Sequence, residues 1–270
     1  MEGPKVAAVA LARKILCILH HLLVNKEKYE EIGFKKWRIP KFEPTKPPME
    51  ISLQEMINLV IEAPDMEDDG KRFVKRTQRD LENGCDVTIA AFGDSITAGF
   101  AVRRGFPSFW KEMLQKKYAE ARIEMINSGV SGDTTMDGLA RLDWSVLSYE
   151  PDLVTINFGI NDCALGLGLE EFEMNFVEMV RRIRSGPGSE ILLLSSQPLE
   201  TPPYDHLVMD YYQAIGRVAR EMDVGFVDVY EAWMERVRQG TPLGSLILSG
   251  LDHPNETGYK IIAEELMKLF

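Results

Sequence analysis

The chain has 270 residues, of which 45% are hydrophobic and 27% are charged, a globular composition that excludes wholesale disorder, collagen-like and coiled-coil architectures. Its 31 basic and 42 acidic side chains give a formal net charge of −11, which disfavours nucleic acid or an anionic membrane as the main partner. The three cysteines, Cys17, Cys85 and Cys163, are too few and too scattered for a disulfide scaffold or a CxxC metal site. We therefore expect a cytoplasmic protein without a metal.

The first fifty residues differ in pattern from the rest of the chain. Apolar residues recur there at three- and four-residue spacing, which predicts an amphipathic helix within a helical arm over residues 1–38; they are Ala8, Leu11, Ile15, Ile18, Leu19 and Leu22. Arg13 and Lys14 interrupt this stretch, so we expect neither a signal peptide nor an integral membrane span. Packing on the main body or on a second copy is favoured over membrane binding, which leaves a homo-oligomer through the arm open.

A proline-rich segment follows the arm. Residues 39–48 contain four prolines, which forbid helix and favour extended backbone, so residues 39–50 are predicted to form a stiff linker. Two short helices are predicted over residues 51–85. The first begins at Ser52, with Glu55 at the capping-box spacing, and Pro64 stops it. The second spans residues 71–83 and ends at Gly84.

Residues 86–270 alternate short apolar runs with longer helical ones. The short runs predict buried parallel strands at residues 86–92, 122–127, 152–158, 190–196 and 224–230. Helical patterns occupy residues 107–120, 134–147, 169–185, 210–222 and 256–270. This alternation predicts a three-layer α/β domain, with helices on both faces of a five-stranded parallel sheet.

Chemically informative residues follow several of these strands, at the sheet edge where ligands of open parallel sheets bind. The first three strands lead into GDSIT (93–97), NSGVSGDT (127–134) and GIND (159–162), and DHPN (252–255) precedes the last helix. These four blocks resemble those of the SGNH, or GDSL-like, hydrolase family, which carries Ser, Gly, Asn and His in four separate blocks. The resemblance covers residues 86–270. It implies a flavodoxin-like fold with five parallel strands and hydrolysis of an ester without a metal or other cofactor.

The residues themselves point to a Ser–His centre. Ser95 lies at a predicted strand-to-helix turn, but a serine hydroxyl is a weak nucleophile without an adjacent base. Of the four histidines, His20 and His21 lie in the arm and His206 in a predicted polar turn. Only His253 stands in a turn that leads into a helix near the strand ends, so we expect it to be the base.

Three donors are candidates for an oxyanion hole. They are the N–H of Ser95, the N–H of Gly132, which no side chain obstructs, and the side-chain amide of Asn161. Taken singly, Ser95 could cap a helix, Gly132 could be a turn glycine and Asn161 could close an Asx-turn. Taken together, the four blocks favour the functional interpretation. We interpret Asp94 and Asp162 as structural residues that hold these loops through backbone hydrogen bonds.

The histidine block departs from the pattern of the family it resembles, in which an aspartate stands three residues before the histidine. Gly250 occupies that position here, and Asp252 is the only acid in the motif. Adjacent side chains in extended backbone point to opposite faces, so a contact between Asp252 and His253 needs a local turn. Two hypotheses remain: Asp252 is the third catalytic member, or a backbone carbonyl or a more distant acid orients the ring.

The predicted function is a serine esterase acting on a small-molecule ester. Apolar residues at 165–169 and 240–250 stand near the proposed site and suit short- to medium-chain acyl groups. A carbohydrate O-acetyl esterase, a thioesterase and a lysophospholipase are the alternatives among enzymes. Outside that class, an inactive ester-binding or adaptor module would oligomerise through its N-terminal helices.

The arm carries a second resemblance, unrelated to the hydrolase blocks. Residues 6–31 are similar to the C-terminal tail of a family of insertion-sequence transposases, a segment outside that family's catalytic residues. This resemblance implies a gene fusion that brought a helical arm and no transposase chemistry.

Overall fold

A five-stranded parallel sheet is the centre of the computed structural model, which describes residues 70–200, 202–248 and 250–270. The arm, the linker, the first predicted short helix and the transposase-like segment lie outside the described residues. The strand order is β2-β1-β3-β4-β5, as in flavodoxin-like sheets. The strands are β1 (Asp86–Gly93), β2 (Arg122–Gly129), β3 (Leu153–Asn157), β4 (Glu190–Leu194) and β5 (Gly225–Val227). The predicted α/β fold with a five-stranded parallel sheet is therefore confirmed.

Helices cover both faces of this sheet. They are α1 (Lys75–Glu82), α2 (Ser95–Ala98), α3 (Phe106–Lys117), α4 (Thr135–Ser145), α5 (Ile160–Leu165), α6 (Leu169–Ser185), α7 (Pro202–Glu221), α8 (Val229–Arg238) and α9 (Glu256–Met267). Short 3-10 turns lie at Lys71–Val74, Leu147–Tyr149 and Leu243–Ser245. Among the described residues, no helix is both long and apolar enough to cross a lipid bilayer.

Side chains of β1 alternate between the two cores that result. Val87, Ile89 and Ala91 join a core formed with α1, α3, α8 and α9, and it includes the fully buried Trp110 and Trp233. The intervening residues of β1 join a second core against α4, α6 and α7, in which aromatic residues are prominent: Phe92, Phe158, Phe172 and Phe176. This alternation follows from the two-residue period of a strand.

Two element boundaries differ from the sequence prediction. The strand predicted to reach residue 230 ends at Val227, because Asp228 caps α8 by accepting from the N–H of Glu231. Helix α7 begins at Pro202 instead of residue 210, since proline is tolerated in the first helical turn, and this places His206 in a helix, not in the expected turn. Helix α1 packs on the sheet, with Leu81 buried in the core.

A small antiparallel pair carries the histidine block. Strand β6 (Ile247–Leu248) pairs with β7 (His253–Pro254), and Leu248 lies opposite His253. Leu246 and Ile247 are 2% and 4% exposed and belong to the core. The expectation that segment 240–250 offers its apolar residues to the site is therefore wrong for these two, because they anchor the hairpin below His253.

Candidate active site

The carboxyl ends of three adjacent strands, β2, β1 and β3, lie level with one another. In the parallel register, Gly93 of β1 stands beside Gly129 of β2 on one side and Asn157 of β3 on the other. The loops that follow these three positions contain Ser95, Gly132 and Asn161. The sheet therefore brings three of the predicted site residues to one edge. The strand order reverses there, because the chain passes from β1 to β2 in one direction and from β3 to β4 in the other.

The turn that carries Ser95 is sharp and densely packed. A Cβ on Gly93 would stand 2.2 Å from Thr97 Oγ1 and 2.3 Å from the carbonyl oxygen of Asn157, so only glycine fits there. The next residue, Asp94, caps α2 by accepting from the N–H of Ile96 at 2.9 Å. This contact confirms its predicted structural role. Ser95 is the first residue of the helix, and only 8% of it is exposed.

The structure brings Ser95 and His253 into hydrogen-bond contact across a sequence separation of 158 residues. Ser95 Oγ lies 2.8 Å from His253 Nε2. The ring of Phe100 packs on the imidazole with a centroid separation of 4.8 Å. A nucleophile and a base within about 2.6–3.2 Å satisfy the geometric requirement for proton transfer between them.

The other ring nitrogen of His253 faces the backbone. Nδ1 lies 2.5 Å from the carbonyl oxygen of Leu251. A carbonyl only accepts hydrogen bonds, so this contact requires a proton on Nδ1, which leaves the lone pair of Nε2 directed at Ser95. The carboxylate of Asp252 has a different partner: its Oδ1 accepts from the N–H of Glu200 at 3.0 Å. The role of Asp252 as a third catalytic member stays a prediction.

The side chain of Asn161 is hydrogen-bonded to the loop after β2, which contains Gly132. The Asn161 side-chain amide donates to the carbonyl oxygen of Asp133 at 2.9 Å, so Asn161 is held beside the peptide that joins Asp133 to Thr134. Gly132 adopts a φ of +87°, a left-handed conformation that glycine enters without strain. The N–H of Val130, in the same loop, donates to the carbonyl oxygen of Gly93 at 3.0 Å. The loop is thereby tied to the end of β1, two residues before Ser95.

A buried arginine, which no pattern in the sequence indicates, joins these loops. Arg141 of α4 forms an ion pair with Asp133 through Nε at 2.7 Å, and the two side chains are only 8% and 3% exposed. Its Nη1 and Nη2 donate to the carbonyl oxygens of Ser128 and Gly93, both at 2.9 Å. One guanidinium therefore holds the ends of β1 and β2 and the loop of Gly132. The sequence does not single out Arg141, because a lone arginine in a helical pattern is usually exposed.

Two further carboxyl groups are buried under the same loops. Asp162 accepts from the N–H and hydroxyl of Thr135 at 2.9 and 2.6 Å, which confirms its predicted structural role and links the Asn161 loop to α4. Burial raises the pKa of Asp162 to about 6. Burial also raises the pKa of Asp94 to about 7, with a smaller contribution from the charges of Asp162 and Asp133. Within the described residues, no group of three or more His, Cys, Asp or Glu side chains could hold a metal ion.

A match to a protein family agrees with this geometry. Residues 91–261 match the GDSL-like Lipase/Acylhydrolase family, a range that contains all four sequence blocks. The chain belongs to this family. The membership confirms the resemblance drawn from the four blocks, and it makes this GDSL hydrolase an enzyme of the ester-hydrolysing class. The match begins at residue 91, so it leaves the transposase-like segment untested.

Several curated relatives of this GDSL hydrolase are esterases. Over 134 residues it is 33% identical to esterase TesA of Pseudomonas aeruginosa. This alignment covers 47% of this chain and 64% of TesA, which is less than two thirds of the length of TesA. It is 25% identical to the Escherichia coli protein named Thioesterase 1/protease 1/lysophospholipase L1, over 67% of this chain and 82% of that one. The relatives agree on ester hydrolysis and differ in substrate.

Solved structures agree with the fold. A catalytic mutant of Axe2, an acetylxylan esterase from Geobacillus stearothermophilus, superposes with a TM-score of 0.60 at 26% identity, over 68% of this chain and 93% of that one. Three of its catalytic mutants replace a serine, an aspartate or a histidine with alanine. That aspartate stands three residues before that histidine. This GDSL hydrolase has Gly250 three residues before His253.

Proposed function

We propose that this GDSL hydrolase is a serine esterase in which Ser95 is the nucleophile and His253 is the general base. The observation that carries the proposal is the 2.8 Å separation between Ser95 Oγ and His253 Nε2. Family membership supplies the class of reaction. The contact of Nδ1 with the Leu251 carbonyl supports the same assignment, because it selects the tautomer whose Nε2 accepts a proton.

The reaction runs in two halves. Ser95 Oγ bonds to the ester carbonyl carbon while Nε2 of His253 takes the hydroxyl proton. The tetrahedral intermediate then breaks its bond to the alcohol oxygen, and Nε2 returns the proton to the leaving alcohol. Water next attacks the acyl-serine and gives its proton to Nε2. The second intermediate collapses to the carboxylic acid, and Ser95 Oγ recovers its proton from the imidazolium.

Negative charge on the former carbonyl oxygen is stabilised by three donors. We assign them to the N–H of Ser95, the N–H of Gly132 and the side-chain amide of Asn161. The Arg141–Asp133 pair supports this assignment, because it holds the loop of Gly132 against the end of β1. Donors that are fixed before the reaction need no reorganisation when the charge develops. This preorganisation accounts for most of the rate enhancement that an oxyanion hole provides.

We propose short- to medium-chain carboxylic esters as the substrates. Two leucines, one at the end of α5 and one at the start of α6, support this choice: Leu165 and Leu169 are 41% and 36% exposed and follow Asn161 along the chain. Leu251 is 47% exposed beside His253. Apolar residues at the rim favour an acyl chain over a charged or sugar moiety. The acetylxylan esterase among the relatives makes a carbohydrate O-acetyl group the second candidate.

A chain-length series tests both parts of the proposal. We expect turnover of p-nitrophenyl esters from acetyl to decanoyl, with kcat/KM highest in the short to medium range. Diisopropyl fluorophosphate should inactivate the enzyme by phosphorylating Ser95 with loss of fluoride, and peptide mass mapping locates the adduct. If acetylated xylo-oligosaccharides are hydrolysed far faster than every alkyl ester, the carbohydrate candidate replaces the first.

Ser148→Ala is the matched control for this labelling. Ser148 lies in the 3-10 turn Leu147–Tyr149, which precedes β3 and is therefore at the opposite end of the sheet from Ser95. The Ser148→Ala protein should be labelled and inactivated like the wild type, whereas Ser95→Ala should take up no phosphoryl group. Folded wild-type protein that neither turns over an ester nor takes up the label contradicts the proposal and favours an inactive ester-binding or adaptor module.

We also propose that residues 1–38 serve association between copies of the chain. The opposite charge of the first segment and the proline-rich residues that follow it support this proposal. Deleting residues 1–38 should lower the mass measured by light scattering and leave turnover per active site unchanged. A truncated protein that does not fold would place the arm in the core instead.

A further inference from the structure

A buried glutamine from the segment after β4 is hydrogen-bonded to the loop that contains His253. Gln197 follows the end of β4, and none of its surface is exposed. Its Nε2 donates to the carbonyl oxygen of Asp252 at 3.0 Å. Because this carbonyl belongs to the peptide that joins Asp252 to His253, the contact fixes the plane of the peptide directly before the base.

The backbone at Asp252 needs such support. Its φ is +51°, a left-handed conformation that non-glycine residues adopt uncommonly and that surrounding contacts must maintain. Two contacts come from the segment after β4: Gln197 binds the Asp252 carbonyl, and the N–H of Glu200 binds the Asp252 carboxylate. The left-handed turn directs the preceding carbonyl, that of Leu251, to His253 Nδ1.

Gln197 is itself held by the sheet. Asn157, at the end of β3, donates from Nδ2 to the carbonyl oxygen of Ser195 at 2.9 Å and to Ser196 Oγ at 3.1 Å. The hydroxyl of Tyr212 in α7 donates to the backbone carbonyl of Gln197 at 3.2 Å. The segment that contains Gln197 is therefore hydrogen-bonded to β3 and to α7, and the Gln197 side chain joins this segment to the peptide that precedes His253.

The two polar atoms of the Gln197 side chain are in different environments. Nε2 is paired with Asp252, whereas Oε1 is buried and has no hydrogen-bond partner within the part of the chain that the structure describes. An unpaired buried carbonyl is costly, and most buried polar groups in native proteins avoid it. The buried amide is turned so that its donor, and not its oxygen, faces the Asp252 carbonyl.

We propose that Gln197 is a positioning residue that orients His253 through the backbone of Asp252 and Leu251. In this arrangement a carbonyl oxygen selects the Nδ1–H tautomer, and the glutamine keeps that carbonyl in place. The inference rests on the proposed Ser–His function and adds to it the group that orients the base. Gln197 acts only on the ring geometry and does not touch the reacting atoms.

Kinetics of Gln197→Met test the role. Methionine keeps the length of the side chain and removes the donor, so the peptide before His253 is released. We expect kcat to fall by about 10- to 100-fold, since a displacement near 1 Å at a reacting group can cost about 100-fold. KM should change little, because no contact with the substrate is removed. A kcat within about twofold of the wild type overturns the proposal.

Gln115→Met is the matched control. Gln115 of α3 also donates from its side-chain amide to a backbone carbonyl, that of Ala121 at 2.9 Å, but before β2 and therefore at the opposite end of the sheet. This variant should keep the kcat of the wild type. If Gln115→Met and Gln197→Met lower kcat equally, the loss reflects stability of the fold, and the positioning role is wrong.

Gln197→Glu tests whether the donor itself matters. Burial favours the neutral form of an introduced carboxyl group, whose O–H can donate to the Asp252 carbonyl as the amide does. Once ionised, the same group offers that carbonyl no donor. The activity of Gln197→Glu relative to the wild type should therefore fall as pH rises. A ratio that does not change with pH contradicts a donor role, and this variant also serves if Gln197→Met does not fold.

A measurement without substrate separates the two proposals. In 15N-labelled wild-type protein, the His253 ring nitrogens should report a proton on Nδ1, and His253→Gln identifies their signals among those of the four histidines. Gln197→Met should shift these signals towards a mixture of tautomers. If the wild type hydrolyses no ester but the shift occurs, the proposed function fails and the positioning holds. If turnover is normal and the ring signals do not move, only the positioning fails.

Discussion

The two partners of the Ser95–His253 contact are held by different kinds of structure. Ser95 is positioned by the register of β1 with its neighbours and by the helix cap at Asp94. His253 lies on a two-residue strand whose orientation depends on contacts with Gln197 and Glu200, far away in the sequence. Regular structure therefore fixes the nucleophile, whereas tertiary contacts fix the base. Substitutions on the Ser95 side should remove a group that takes part in the reaction. Substitutions on the His253 side should leave the reacting groups in place but displace the imidazole relative to Ser95.

The largest effect is expected on the nucleophile side. Ser95→Ala should lower kcat by on the order of 10³-fold or more, because only binding and oxyanion stabilisation remain when the attacking atom is removed. Steady-state kinetics with p-nitrophenyl esters measure the loss, and an unchanged thermal midpoint establishes that the fold is intact. Retention of more than about a tenth of the activity would be incompatible with Ser95 as the nucleophile.

The next largest effect on kcat is expected for Asn161→Ala. Loss of one oxyanion donor typically costs about 10²- to 10³-fold in kcat. The change should appear in kcat, since the developing charge and not the ground-state ester needs the donor. Asn175→Ala is the matched control: this half-buried asparagine of α6 donates to Thr135 Oγ1 at 3.0 Å, and its loss should reduce kcat much less. An effect of Asn161→Ala confined to KM would assign the residue to substrate binding.

The same division explains what the sequence could predict. The blocks around Ser95, Gly132 and Asn161 each follow a strand, so the pattern of strands alone is enough to place them at one sheet edge. The contacts of Gln197 with Asp252 and of Arg141 with Gly93 join residues that are distant in sequence. Gln197 follows a strand and Arg141 lies in a helix, and both are common positions for such residues. No local pattern encodes such pairs, because they arise only when the layers pack.

The predicted end of β5 and the predicted start of α7 were wrong for a related reason. The run at 224–230 is largely apolar and predicts one strand, yet the cap formed by Asp228 ends it after Val227. The prolines at the start of α7 indicate a turn when the sequence is considered alone. In the structure they lie in the first turn of the helix, where proline is tolerated. The short helices α2 and α5 are about one to two turns long, too short for a periodic pattern to indicate.

On the histidine side, Asp252→Asn should have a small effect. Asparagine keeps an oxygen that can accept from the N–H of Glu200, so the left-handed turn and the Leu251 carbonyl stay in place. We expect kcat to fall by less than about tenfold, whereas loss of a triad carboxylate can cost about 10⁴-fold. Asp252→Ala, which removes the acceptor for Glu200, should be the more damaging of the two. A loss near 10⁴-fold for Asp252→Asn would instead make Asp252 the third catalytic member.

The smallest expected effect concerns stability on the nucleophile side. Burial raises the pKa of Asp94 from 3.8 to about 7, and the charges of Asp162 and Asp133 act in the same direction. Between these two values the folded protein holds a proton that the unfolded chain has released, so this contribution to stability is lost as pH rises from about 4 to about 7. Asparagine is neutral throughout and can still accept from the N–H of Ile96.

Asp94→Asn should therefore gain in thermal midpoint relative to the wild type, by a few degrees, as pH is raised from about 5 to about 8. Calorimetry at several pH values measures the difference. Asp228→Asn is the control for exchanging a helix cap, because the exposed Asp228 carboxylate also accepts from an N–H, that of Glu231 at 3.1 Å. If the difference between Asp94→Asn and the wild type is the same at every pH, Asp94 is ionised in the folded protein. The hydrogen bond from the Ile96 N–H would then stabilise the charged form of Asp94 more strongly than burial destabilises it.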